Sequence, residues 1–326
     1  MISSLLAALL LSSPADAPAV QATVPAPQIS AAAVGQDAPT DLGDIVVEGA
    51  RLEDTARSFV REVGAPAANR GLARWRNGIC VGVANLQADT ARYIVDRISD
   101  VTREVGLQAG EPGCEPNVLI VATTDANAFT PQFVAMRPRL FRVGGAGMDR
   151  GGDALEAFET NDQPVRWWHV SVPVDDRGAI AVRLPGVCRY QCAETMDFAP
   201  QLTQNASRLQ ANTGDDLKRI FIIVDVDRIG GVSLEQLGDY LAFVALAQVN
   251  PDADTSGYST ILNIFQNPTD TPALSQWDMA YLKGLYDAEM TRASVGAARQ
   301  EVANSIVRTR RQMTAAEDET PETGSE

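Results

Sequence analysis

The sequence predicts an α/β (α+β) chain: an N-terminal βαβ unit leading into a domain built round a buried central helix. Three observations carry this. Ile79-Cys80-Val81-Gly82-Val83 and Val118-Leu119-Ile120-Val121 are short apolar runs, and between them Ala91, Ile94, Val95, Ile98, Val101 and Val105 recur at helical spacing. Strand, long helix, strand implies a parallel pair joined by a crossover. Ile220-Phe221-Ile222-Ile223-Val224-Asp225 is the strongest strand of the chain, and the helix that follows it is apolar on most sides. With 326 residues and 45% hydrophobic content, there is apolar mass for a sizeable core.

From the start of the chain, residues 5–11 are an unbroken apolar run, and Val20-Gln21-Ala22 fits a small-x-Ala cleavage site. Ala15-Asp16-Ala17 is a second candidate, although Pro18 is a poor residue to follow a cut. No Lys or Arg precedes the run. Residues 1–22 are therefore expected to be a signal peptide that sends the chain to the periplasm or beyond. The run is too short to span a bilayer, and no later segment reaches the roughly 18 apolar residues of a transmembrane helix. Residues 23–43, rich in Ala, Pro and Gln, read as a disordered leader. A single globular unit is expected over 44–306.

Within it, Ile45-Val46-Val47 reads as a strand, and a helix over 52–63 places Ala56, Phe59, Val60 and Val63 on one side. Residues 64–71 break the pattern. Asn85 is expected to cap the crossover helix and Gly106 to stop it. A further helix is expected over 126–136. Residues 142–153 hold Gly144, Gly145, Gly147, Gly151 and Gly152 and read as a loop; a phosphate cradle would need a clear strand before it. Over 165–172, Trp168, Val170 and Val172 alternate with Trp167, His169 and Ser171, the pattern of a strand.

Ser233-Leu234-Glu235-Gln236 is a capping box, with Val232 and Leu237 as its staple. Leu234, Leu237, Leu241, Val244 and Ala245 then form a core stripe. Ser275-Gln276-Trp277-Asp278 starts a last helix through Tyr286. From Val307 onward the sequence is polar and ends acidic, with Glu317-Asp318-Glu319; 307–326 is expected to be a disordered acidic tail.

Charge and cysteine usage narrow the partners. There are 27 basic and 42 acidic residues, a formal net charge of −15. Such a chain repels phosphate backbones, so nucleic acid is not an expected partner. Four cysteines in an exported chain suggest disulfides, and spacing favours Cys80–Cys114 and Cys188–Cys192. A metal site on Cys188, Cys192 and His169 would lack an evident fourth ligand, and structural zinc wants four.

Residues 220–290 resemble the second half of a metzincin, or zincin-like, domain. The resemblance rests on a strand, a buried helix, a loop with Ser259-Thr260-Ile261-Leu262-Asn263, and the closing run from Leu274-Ser275-Gln276-Trp277-Asp278 to Leu285-Tyr286. The family's active-site helix carries a His-Glu-Leu-Gly-His core. Here the matching stretch is Glu235-Gln236-Leu237-Gly238-Asp239, in which only Leu237 and Gly238 agree. The resemblance thus places Glu235 and Asp239 at the two metal-histidine positions and Gln236 at the general base. Ala245 falls at the third metal position and Leu262 at the Met-turn. It implies a fold without its chemistry, because a neutral amide cannot take a proton from water. The whole chain also resembles uncharacterised secreted bacterial proteins with such a degenerate half. Glu235 and Asp239, four apart, are expected to share a helix face, where two carboxylates could bind a hard cation such as calcium.

Two functional readings follow. The first is an exported, non-catalytic binding or scaffold protein, with an envelope ligand or protein as partner and no metal or other cofactor. The second is a periplasmic hydrolase with a site elsewhere. Candidates for that are His169 with Asp175, or Asp254 and Tyr258 in the loop after the central helix. No Gly-x-Ser-x-Gly elbow or Walker-type loop supports the second.

Overall fold

A computed structural model describes residues 42–141, 150–175, 177–180, 211, 213–292 and 294–318, with side chains from Arg51 onward. The described residues from Gly43 onward form one unit. The architecture is mixed α/β, with parallel and antiparallel strands.

The expected βαβ unit is present. Strand β1 (Gly78–Ile79) and strand β2 (Val81–Ala84) are separated at Cys80. Helix α2 (Ala88–Glu104) follows helix α1 (Leu42–Val63) in the chain, and strand β3 (Gln108–Ala109) and strand β4 (Val118–Thr123) come next. β2 pairs parallel with β4, with Val81 opposite Val118, and β1 pairs parallel with β3. Two local expectations are corrected. The apolar triplet 45–47 is helical, part of α1; a run that short does not fix a period, and the helix continues through it. The cap of α2 is Gln87, while Asn85 sits in the left-handed region at φ 63°.

Helix α3 (Ala126–Met136) begins on Asp125, whose carboxylate accepts the Ala128 N–H at 2.9 Å. Helices α4 (Pro138–Phe141) and α5 (Gly152–Thr160) follow. The Gly-rich segment expected as a loop is therefore helical from Gly152; residues 142–149 lie outside the described residues. Strand β5 (Val165–Val174) pairs antiparallel with strand β6 (Gly214–Asp225), and β4 pairs parallel with β6. The larger sheet thus has the order β2-β4-β6-β5.

Strand alternation sends two sets of side chains to opposite faces. Ile120, Ile220, Ile222, Val224 and Trp167 face a layer made of α1 and α2 together with helix α6 (Leu234–Leu246), helix α7 (Gln276–Asp287) and helix α8 (Val295–Asp318). Val121, Phe221, Ile223, Trp168 and Val170 face α3, α4 and α5. The central helix α6 is buried from Gln236 to Leu246.

Helix α8 corrects the expectation of a disordered tail from 307. Val302, Ala303, Ile306 and Val307 are buried against the core, and Thr309 is only 6% exposed. The reason lies on α7. A Cβ at Gly284 would stand 2.6 Å from the Ile306 nitrogen, so the bare backbone of α7 is what admits α8 so closely. The helix runs to Asp318; residues 319–326 lie outside the described residues. No helix among the described residues is long and apolar enough to cross a membrane.

Candidate binding cleft

The capping box of α6 does more than start the helix. Ser233 Oγ accepts the Gln236 N–H at 3.2 Å, and Gln236 Oε1 accepts the Ser233 N–H at 2.9 Å. That leaves the Gln236 amide nitrogen to reach off the helix, where it donates to Pro268 O at 2.7 Å and Thr271 O at 2.8 Å. One turn on, Asp239 is 3% exposed. Its Oδ1 pairs with Arg97 of α2, and its Oδ2 accepts the Leu274 N–H at 2.7 Å. The loop between α6 and α7 is gripped from this side by two buried polar groups.

The grip from the other side comes from Asp278, the third residue of α7, which is fully buried. Its Oδ1 accepts Thr260 Oγ1 at 2.6 Å, and its Oδ2 accepts the N–H groups of Ile261 at 2.8 Å and Ser275 at 2.9 Å. Ser275 Oγ has one proton, shared between Ser259 O at 2.6 Å and Asp278 Oδ2 at 2.9 Å. Burial pushes the Asp278 carboxyl up to about 6, against the donors that pull it down. Asn263 completes the frame: its Oδ1 accepts Thr255 Oγ1 at 2.6 Å, and its Nδ2 donates to Thr255 O at 3.0 Å and Tyr258 O at 2.9 Å.

Over this frame lies an open cleft of about 540 Å³, edged by Tyr258, Ser256, Gln266, Asn267 and Asp270. Gln266 also borders an adjoining crevice of about 180 Å³ lined by Trp167, Tyr240, Leu262 and Phe265. Ser256 and Tyr258 also border a shallower hollow of about 550 Å³ against α1, which holds Asp254. The loop is thus pre-formed by buried polar groups and leaves hydroxyls and amides at its surface.

The sequence-predicted residues fall on different sides of this site. Tyr258 lies on its rim, and Asp254 lies in the adjoining hollow. Asp254 is exposed, and the Ser256 hydroxyl and N–H hold its carboxyl below the usual range. Gln236 and Asp239 are under it, as anchors. Glu235 is exposed, its carboxyl held down by the Ser233 hydroxyl, so the shared-face cation pair with Asp239 does not form: the Asp239 oxygens are taken by Arg97 and Leu274. Ala245 is wholly buried in the core, and Leu262 sits in the short 3₁₀ turn Ile261–Asn263.

His169 serves another purpose. The C-terminal carbonyls of a helix lack intrahelical partners, and α6 ends inside the protein. His169 Nε2 lies 2.9 Å from Val244 O, Trp75 Nε1 donates to Ala245 O at 2.7 Å, and Tyr286 Oη donates to Leu246 O at 2.7 Å. With a carbonyl as partner, Nε2 carries the proton. Burial lowers the imidazole to about 4, so it is neutral at pH 7. Asp175 lies six residues along, just past the end of β5, roughly 20 Å away at strand rise. Its Oδ1 accepts the N–H groups of Arg177 and Ala179. The structure does not bring His169 and Asp175 together.

Cys80 and Cys114 form a disulfide, S–S 1.99 Å, which fits an oxidising compartment. Cys188 and Cys192 lie outside the described residues. Among the described residues no group of three or more His, Cys, Asp or Glu side chains is placed to hold a metal.

A separate hollow of about 480 Å³ lies at the other end of the sheet, beside Gly214 and Asp216 of β6. There Arg74, lowered by burial, donates to Leu285 O at 2.6 Å and to Tyr286 O, capping α7, and Arg76 pairs with Asp216 at 2.6 Å. Arg74, Arg76 and Asp216 are thus engaged in holding elements together.

The sequence reading did not single out Asn267 or Asp270, and quoted Thr260 and Asn263 only within the resemblance. The signal was the density of Asn, Asp, Ser and Thr over 250–275, residue types that bind their own backbone in turns. Comparison of the chain with protein-family models, with curated proteins and with solved structures finds no match.

Proposed function

We propose that this is an exported, periplasmic, non-catalytic binding protein on an inactivated zincin-like fold, and that the cleft above the 255–275 loop is its binding site. One observation carries the reading. The side chains at the positions of the family's catalytic motif are spent on architecture: Gln236 and Asp239 hold the loop, and Ala245 fills the core. The order of strand, buried helix, short turn and capped closing helix supports the zincin-like part of the proposal. The N-terminal apolar run and the Cys80–Cys114 bridge support export. A site that only binds needs a rigid frame and satisfiable polar groups at its surface, and this cleft has both.

Elemental analysis of purified protein, alongside a chelator-controlled protease assay, tests the proposal. The expected result is no stoichiometric zinc and no chelator-sensitive cleavage. One equivalent of zinc, lost together with peptidase activity on chelation, would overturn it.

A further inference from the structure

The chemistry of the cleft narrows its ligand. This step rests on the binding reading above and names the ligand class. Among the described residues no Lys, Arg or His lines the cleft, and Asp270 is the one charged residue there. On a chain of net charge −15, such a surface repels phosphates and carboxylates. The other polar groups include the Ser259 hydroxyl and the amides of Gln266 and Asn267, which both donate and accept hydrogen bonds, and the Ser256 oxygen, whose proton goes to Asp254 and which is left to accept. Asn267 Nδ2 donates to Asp270 Oδ2 at 2.6 Å, which leaves Asn267 Oδ1 and Asp270 Oδ1 to accept from a ligand.

One wall is aromatic. Tyr258 is half-buried, and Phe59 meets its ring edge-on with centroids 4.9 Å apart, so the ring is fixed before anything binds. Asn263 Nδ2 holds the backbone of the same residue at 2.9 Å. A fixed aromatic ring beside planar amides and a carboxylate matches a sugar ring. The C–H face of a pyranose is apolar and packs on an aromatic surface. Its hydroxyls each give and take a hydrogen bond, and carry no charge. The volume, about 540 Å³, lies in the usual range for small-molecule sites.

We propose that the cleft binds an uncharged oligosaccharide, with Tyr258 as the stacking wall and Asn267 and Asp270 as the acceptors of ring hydroxyls. Because the frame is already hydrogen-bonded, little ordering opposes binding.

Titration calorimetry on the full mature chain tests this with maltotriose, cellotriose and tri-N-acetylchitotriose, and with trigalacturonate and trialanine as comparators. At least one neutral trisaccharide should bind saturably, and trigalacturonate should not. Tyr258→Ala and Asn267→Ala should each weaken the sugar at least tenfold while the melting temperature of Asn267→Ala stays near wild type. Silence from all three neutral sugars, or sugar binding that neither substitution changes, would overturn the proposal. Tyr258-dependent binding of trialanine with silent sugars sinks the sugar assignment and leaves the binding reading standing. Zinc-dependent cleavage sinks the binding reading itself.

Discussion

Asp278 shows how much one carboxylate can organise. Its two oxygens collect Thr260 Oγ1 and two backbone N–H groups from both ends of the loop. Asp278→Ala leaves those buried donors unpaired and should cost about 3–5 kcal/mol by urea denaturation. Asp278→Asn should cost far less. Its carbonyl can stand where Oδ2 accepts the N–H groups, and the Thr260 hydroxyl can turn to accept from the amide. Equal losses in the two variants would count against this account.

The same residue has an opposite number in His169. The folded state lowers His169 from 6.5 to about 4, so its contribution is present above 6.5 and lost as pH falls through about 4. The folded state raises Asp278 from 3.8 to about 6, so its contribution is present below 3.8 and lost as pH rises through about 6. Each is worth about 3 kcal/mol, with opposite sign over nearly the same interval. Removing one should expose the other. Stability relative to wild type should fall on acidification from pH 7 to 4 in Asp278→Asn, and rise in His169→Gln, which retains a donor for Val244 O. Parallel pH profiles for wild type and both variants would show that neither group titrates as described.

At the scale of elements, the close contact of α7 and α8 depends on the missing side chain at Gly284. Gly284→Ala should destabilise by about 1–3 kcal/mol, because the new methyl meets backbone at Ile306 and cannot be relieved by a rotamer change. Hydrogen exchange should show the loss first over 295–318; uniform protection across that helix in the variant would contradict the prediction. This contact also marks where sequence reading ran out. Both capping boxes, at Ser233 and Ser275, were legible because each closes over three residues. So were the alternating faces of β5, since a strand's period is local. Helix α8 was not: its polar composition hid a narrow apolar strip whose partner lies on another helix. Nor was the cleft. Gln236, Asp239 and Asp278 reach loop residues between 17 and 35 positions away, and only the fold puts them there.

At the scale of the molecule, the Cys80–Cys114 bridge joins the start of β2 to the lead-in of β4 across a separation of 34 residues. It encloses the whole crossover helix α2, which packs on α6. Replacing both cysteines with serine should lower stability by about 3–4 kcal/mol, mostly through the freedom restored to the unfolded chain. Non-reducing peptide mapping of protein purified under oxidising conditions should recover the bridged pair, and free thiols at both positions would refute the assignment.

The sealing of the core by α8 has a consequence for the order in which the chain becomes a protein. Val302, Ala303, Ile306 and Val307 are the last buried members, among the described residues, of the larger core cluster. In a chain delivered from its N-terminus, the flank of α7 around Gly284 stays uncovered until residues through 307 have emerged. Native packing of that flank is therefore complete only once both helices are present, and until then the apolar surface is open to a chaperone.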